Sequence, residues 1–154
     1  MKLLSLTLSL FFYLSCLPKI TNSMDVQQIM KSLYEGALTG AGEEGFKKEN
    51  IVIQSVEDWK AFLTKLDSIN KVSEEFNTSI DFSKKSVIVA IDSVRNTTGF
   101  TIKVNEVSQK GKTLEIVINH KGPKPTDMVG MAITQPIHIV TINKTDKNIV
   151  FVEE

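Results

Sequence analysis

Apolar residues recur with a helical period in residues 55–66, whose sequence is SVEDWKAFLTKL. Four of them fall at positions i, i+3, i+4 and i+7 and form one stripe along a helix: Trp59, Phe62, Leu63 and Leu66. Ser55 is a natural N-cap residue, and Asp58 stands three residues later, at the spacing of a capping box. The pattern predicts an amphipathic helix whose tryptophan lies in the core.

Strand patterns dominate the second half of the chain. Residues 87–91, VIVAI, form a continuous apolar run that is typical of a strand buried on both faces. Apolar and polar residues alternate in 100–105 and again in 114–119, which predicts a hairpin turned at residues 109–111. The segments QPIHIVTINK and NIVFVEE predict a last hairpin, turned at residues 145–147.

The pattern is weaker before the helix. Residues 47–54 predict a strand, and the Gly-rich segment GALTGAGEEGF predicts a bulged strand or a loop before it. The segment VQQIMKSLYEG has apolar spacing that fits a short helix or a semi-ordered lead-in.

The order of these elements defines a fold class. Strands and helices do not alternate, which disfavours a doubly wound parallel sheet. The sequence predicts an α+β domain that is mostly β. Its antiparallel sheet forms a small sandwich or barrel, and one amphipathic helix packs on it. The length of 154 residues fits one such domain without disulfides or metal.

The N-terminus has the pattern of an export signal. Lys2 is followed by an apolar run from Leu3 to Leu14, which is too short to cross a bilayer as a helix. Ser15 then precedes Cys16, the only cysteine. Bacterial lipoprotein signals end in this way, and the cysteine thiol receives the lipid. Tyr13 departs from that pattern, so simple secretion with later cleavage is the alternative. We expect a signal peptide with a lipobox-like end in residues 1–16, with Cys16 as the lipid attachment site, and a tether and lead-in in residues 17–35.

Charge and motifs argue against several function classes. Lys and Arg number 18, as do Asp and Glu, so the net charge is zero and no nucleic-acid partner is expected. The sequence has no phosphate-binding loop, nucleophile elbow, CxxC pair or metal-ligand spacing, so we predict no enzyme, no cofactor and no metal. The weaker alternative is a hydrolase that uses Glu43 or Glu44 with His120 or His138. His138 lies on the strand face opposite its isoleucine neighbours and is interpreted as solvent-facing or hydrogen-bonded.

The segment RNTTGF, residues 95–100, lies between two predicted strands. Its residues favour a turn, because Asn tolerates the left-handed backbone conformation and Gly99 can adopt a positive φ angle before a strand. Asn96 is also one of three glycosylation sequons, with Asn77 and Asn143. These would be glycan acceptors in a eukaryotic secreted protein and are fortuitous if the signal is bacterial. We expect the loop GPKPTDMVGM to lie at the same end of the sheet. The candidate partner-binding turn consists of Asn96, Thr97, Thr98, Gly99 and Phe100.

Two family resemblances bear on this turn. The residues NTTGF resemble the inhibitory NPTTGY loop of chagasin-type inhibitors of cysteine proteases, without its proline. A longer resemblance, to the bacterial PrcB C-terminal domain family, covers most of the chain after the signal. It rests on the Trp-bearing helix after IVIQS and on the segments IDFSKKSVIVAI, TTGFTIKVNEV and, above all, TQPIHIV. The matching positions are Asp81, Phe82, Ser83, Thr98, Gly99, Phe100, Gln135 and Pro136. The sequence departs from that family in having one glycine before Phe100, and in Ile137, where an aromatic residue is common.

The PrcB resemblance implies a function. The family takes its name from a lipoprotein accessory subunit of a bacterial surface protease complex. It therefore implies that residues 36–154 form one exported, non-catalytic domain that binds or stabilises another exported protein, such as a protease. The expected location is the bacterial envelope, with a lipid anchor in the periplasm or at the cell surface, or else secretion. The alternative function is a loop-based cysteine protease inhibitor.

Overall fold

The computed structural model describes residues 26–27 and 29–154. These residues form eight strands, one α-helix and a short 3-10 helix. The strands are β1 (Val26–Gln27), β2 (Lys31–Leu38), β3 (Glu49–Ile53), β4 (Lys85–Ile91), β5 (Thr101–Lys110), β6 (Thr113–Lys121), β7 (Gln135–Asn143) and β8 (Asn148–Glu153). The helix α1 spans Val56–Leu66, and the 3-10 helix spans Val72–Glu75.

The strands form two four-stranded sheets. The first sheet has the order β1-β5-β6-β8 and the second has the order β2-β7-β4-β3. Neighbouring strands pair antiparallel, except that β8 runs parallel to β6. The sheets do not close into a barrel, so of the two predicted forms the sandwich is the one observed.

The second sheet is the middle layer of three. Alternate residues of β4 face opposite sides, so Val87, Val89 and Ile91 pack beneath α1. Ile88 and Ala90 pack instead against the first sheet. This double burial confirms the prediction made for residues 87–91, and it explains why their sequence lacks a polar face.

Helix α1 begins at the predicted cap. The backbone N–H of Asp58 donates to Ser55 Oγ at 3.1 Å, which satisfies one of the free donors of the first turn. Trp59, Phe62 and Leu66 are buried against the second sheet, whereas Leu63 is only partly buried. Trp59 Nε1 donates to the carbonyl of Thr78 at 2.8 Å, so the tryptophan is a core residue as predicted.

The helix or lead-in predicted for residues 26–36 is wrong. Residues 31–38 form strand β2, which pairs with β7 along its whole length. The sheet therefore begins before residue 36. Strand β2 is an edge strand with a register shift between Ser32 and Tyr34, so its side chains are not regularly buried on one face and its sequence does not alternate.

The predicted last hairpin is also wrong. Both of its strands exist, but β7 lies in the second sheet and β8 in the first. The residues between them cross from one sheet to the other, and β8 pairs with β6 in parallel, from Thr113 opposite Asn148 to Ile118 opposite Glu153. The hairpin of β5 and β6 is confirmed, with a bulge between Val104 and Glu106.

Candidate functional site

Three connections meet at one end of the sandwich, which we call the loop end. Strands β2 and β4 end there, while β3 and β7 begin there, as the pairs Leu38–Gln135 and Glu49–Ile91 show. The loop end therefore comprises residues 39–48, 92–100 and 122–134. A backbone bridge between Arg95 and Thr134 joins the last two connections directly.

The predicted turn at residues 96–100 is held against the neighbouring loop. The N–H of Thr98 donates to the carbonyl of Gly130 at 3.0 Å, and the N–H of Gly130 donates to Thr98 Oγ1 at 2.8 Å. Gly99 has a φ of 92°, as its turn position requires. The expectation that GPKPTDMVGM lies at the same end as this turn is confirmed. Whether the turn binds a partner stays a prediction.

Five apolar side chains at the loop end face solvent. We call them the apolar tip: Val94, Met128, Val129, Met131 and Ile133. The two methionines are essentially fully exposed, at 102% and 98% of their reference area. They belong to a loop that the Thr98–Gly130 hydrogen bonds fix in place. Clustered apolar exposure on a fixed loop is a feature of interaction surfaces.

A charged network lies beneath the turn. The Asp92 carboxylate is 2% exposed and accepts two hydrogen bonds from Arg95, from Nε at 3.1 Å and from Nη2 at 2.7 Å. The guanidinium carbon of Arg95 lies 4.7 Å from the centroid of the Phe100 ring. Arg95 is thereby fixed between a buried carboxylate and an aromatic face, and it holds the start of the turn against β4.

The network continues to the C-terminus. His120 Nδ1 lies 3.6 Å from Asp92 Oδ1, and His120 Nε2 lies 3.4 Å from Glu153 Oε2. Glu153 also accepts hydrogen bonds from Lys48 at 2.5 Å and from Asn50 at 3.2 Å. The Lys48 hydrogen bond and charge, with smaller contributions from Asn50 and His120, hold the pKa of Glu153 below its ordinary value, while partial burial opposes the shift. These contacts link both sheets at the loop end.

A buried glutamine completes the support of the loop end. Gln135 Nε2 donates to the carbonyl of Phe46 at 3.1 Å and to the carbonyl of Asp92 at 2.9 Å. One side chain at the start of β7 therefore holds the connections before β3 and after β4. This is one of the positions that carry the PrcB resemblance, and its role here is to position the loops.

The residues of the hydrolase alternative do not come together. Glu43 is exposed, whereas Glu44 is 3% exposed and accepts a hydrogen bond from the N–H of Gly40 at 3.0 Å. His138 is buried and hydrogen-bonded to Val104 and Ser32, in agreement with the prediction of a hydrogen-bonded histidine. Within residues 29–154, neither glutamate lies within ion-pair distance of either histidine.

The described part of the chain has neither a metal-binding cluster nor a helix suited to span a membrane. Among residues 26–27 and 29–154, no group of three or more His, Cys, Asp or Glu side chains is arranged to hold a metal ion. Over the same residues, no helix combines the length and apolar character that a membrane span requires. Cys16, the predicted lipid attachment site, lies outside the described residues.

Sequence reasoning found the turn but missed its surroundings. The contacts of His120 with Asp92 and with Glu153 join residues far apart in the chain, and no spacing along the sequence indicates them. The apolar tip did leave a signal, since Met128, Val129 and Met131 are apolar residues in a loop that two prolines and a glycine keep irregular.

Comparison with known proteins supports one of the two resemblances. The model of the family described as PrcB C-terminal matches residues 86–143. This segment runs from β4 to the end of β7 and contains the turn and the apolar tip. The predicted resemblance to this family is thereby confirmed. No curated protein and no solved structure matches the chain.

Proposed function

We propose that the chain is an exported, non-catalytic accessory module whose loop end binds another exported protein, and that this partner belongs to a protease complex. The apolar tip carries the proposal. Exposed methionines lose contact with water when a partner covers them, and their flexible side chains adapt to the surface they meet. Their loop is already fixed by Thr98 and Gly130, so little backbone order has to be gained on binding.

The family match supports the class of partner. The PrcB C-terminal match includes residues 92–100 and 122–134, the two connections that carry the apolar tip. The family is named after an accessory subunit of a surface protease complex, and this association comes to the chain by resemblance. Export and lipid anchoring rest on the N-terminal signal pattern.

No observation favours the cysteine-protease inhibitor. Thr98 directs its hydroxyl and its N–H to Gly130, so the turn is packed on its neighbour along one side. Asn96 has an exposed side chain in this turn. A substitution of Thr98 would disturb the loop pair itself, so a test of the turn as an inhibitory wedge requires Asn96→Arg.

The proposal is tested by affinity purification of the tagged full chain from native membranes after mild cross-linking. We expect wild type to recover an exported protein in stoichiometric amount. The double variant Met128→Asp, Met131→Asp should lose that protein by about tenfold or more, because two carboxylates would have to be desolvated in the interface. Val56→Asp is the control, since Val56 is an exposed apolar residue at the start of α1, at the pole opposite the loop end.

Two results would overturn the proposal. One is recovery of the polypeptide alone, with and without cross-linking. The other is stoichiometric inhibition of a papain-like protease that Asn96→Arg abolishes, since this would establish the inhibitor instead. Equal recovery of the partner by the double variant and by Val56→Asp would show that the apolar tip is not the binding surface.

A further inference from the structure

Strand β3 has an open edge. It is the last strand of the second sheet and pairs only with β4. In an antiparallel pair, alternate residues direct their N–H and C=O groups away from the partner strand, so half of the residues of β3 present these groups outward. Among the described residues, no backbone hydrogen bond reaches β3 from outside its own sheet.

A groove runs beside this edge. Only Gln54 and Ser55 separate β3 from α1, so the helix runs back antiparallel to the strand. The strand forms one wall of the groove and the helix forms the other. The groove has a volume of about 350 Å³. Its apolar lining comes from Phe46, Ile51, Ile53 and Phe62. Ala61 is exposed on the helix wall, where its small side chain leaves the groove open.

Charges mark the two ends of the groove. Asp58 lies in the first turn of α1, at the end where β3 finishes. Lys65 lies in the last turn, at the end where β3 begins, and its Nζ lies 4.3 Å from the centroid of the Phe46 ring. Glu49 lines the groove near the same end. The Asp58 end therefore favours a positively charged side chain.

We propose that this groove binds an extended peptide segment of a partner, which adds a fifth strand beside β3. The open N–H and C=O groups of β3 would pair with the peptide backbone. Alternate peptide side chains would enter the apolar groove between β3 and α1, and a Lys or Arg near one end would face Asp58. An open strand edge beside a helix is a general arrangement for recognition by strand addition.

The dimensions favour a peptide over a second copy of the chain. The five residues of β3 present an edge of roughly 16 Å, which accommodates about five residues of an added strand. A strip of that length and about 10 Å thick, the depth of one sheet layer, has an area of roughly 160 Å², well below the roughly 800 Å² per partner that a stable protein interface buries. The groove also lies outside the matched residues 86–143 and apart from the apolar tip, so this inference does not depend on the proposed function.

The test selects heptapeptides from a displayed random library against the full chain in detergent micelles. We expect enriched peptides with alternating apolar residues and a terminal Lys or Arg. The best peptide is then labelled, and each of its backbone amides is methylated in turn. Methylation at every second residue should weaken binding about tenfold, and methylation at the intervening residues should change it little, because only alternate amides of an added strand face β3.

Variants of α1 locate the site. Ala61→Arg fills the groove and should weaken peptide binding about tenfold or more. Thr64→Arg is the matched control, because Thr64 is exposed on the same helix but does not line the groove. The variant Met128→Asp, Met131→Asp should bind the peptide as wild type does, so failure of the apolar tip to bind its partner and failure of the groove to bind a peptide are distinguishable.

Three outcomes would overturn the inference. The first is selection of the same peptides by wild type and by Ala61→Arg. The second is equal sensitivity to methylation at every residue of the peptide. The third is a concentration-dependent dimer in sedimentation that Ala61→Arg disrupts, which would assign the edge to a second copy. Far-ultraviolet circular dichroism of each variant confirms that it is folded.

Discussion

The imidazole of His138 joins three strands from its buried position in β7. Its Nδ1 accepts a hydrogen bond from the N–H of Val104 at 2.8 Å, so in the neutral ring the proton is on Nε2, which donates to Ser32 Oγ at 3.0 Å. Burial lowers the pKa of His138, the Lys103 charge adds to this, and Glu35 opposes it. Because the unfolded chain binds the proton more tightly, stability is complete above pH ~6.5 and falls as the pH drops below it.

We therefore expect His138→Leu to lower the free energy of unfolding by about 1–3 kcal/mol at pH 7.5, since it leaves the Val104 N–H unpaired. The difference in the free energy of unfolding should be smaller at pH 5.5. At that pH wild type loses stability because its buried histidine stays neutral, and the variant has no histidine at this position. Urea titrations at both pH values measure this. Ser32→Ala keeps the imidazole and should retain the pH dependence of wild type. Parallel pH dependence in wild type and His138→Leu would contradict the prediction.

The side chains of the apolar stripe of α1 are not equally buried against the second sheet. Leu66 is 0% exposed, whereas Leu63 is partly buried. Leu66→Ala should cost about 2–5 kcal/mol, because it leaves a cavity beneath the helix. Leu63→Ala, the same change one turn earlier, should cost clearly less. Reversible urea unfolding of the two variants measures the difference, and equal losses would mean that the helix packs differently.

The sequence predicted the helix and most strands, but it did not predict correctly which strands pair with each other. The helix from its cap at Ser55, the buried strand at residues 87–91 and the β5–β6 hairpin are encoded by local periodicity and turn chemistry. The parallel pairing of β8 with β6 depends on contacts between distant segments, and a short turn between two strands equally suits a crossover between sheets. Strand β2 escaped prediction because an edge strand with a bulge has no regular apolar face.

The candidate site divides in the same way. Gly99 and Asn96 were recognisable as turn residues because each has a local conformational reason to be there. The pairing of Thr98 with Gly130 and the burial of Asp92 beside Arg95 arise only when the strand ends meet. The sequence therefore predicted the position of the turn, but not the contacts that surround it.

At the scale of the whole molecule, attachment to a membrane decides which surfaces a partner can reach. The signal pattern predicts that Cys16 carries a lipid. Cells labelled with a fatty-acid probe should incorporate it into wild type and not into Cys16→Ala, and the variant should shift from the membrane to the soluble fraction. Absence of label in wild type, with recovery in the soluble fraction, would leave simple secretion.

Strand β1 marks the pole at which the described part of the chain begins. Val26 pairs with Gln109, next to the turn of the β5–β6 hairpin, whereas β5 begins at Thr101 beside the loop end. Eight residues of extended strand separate these two positions, or roughly 26 Å. The chain thus enters at the pole opposite the apolar tip. If Cys16 carries the predicted lipid, we propose that the sandwich acts as a spacer that holds the apolar tip away from the bilayer.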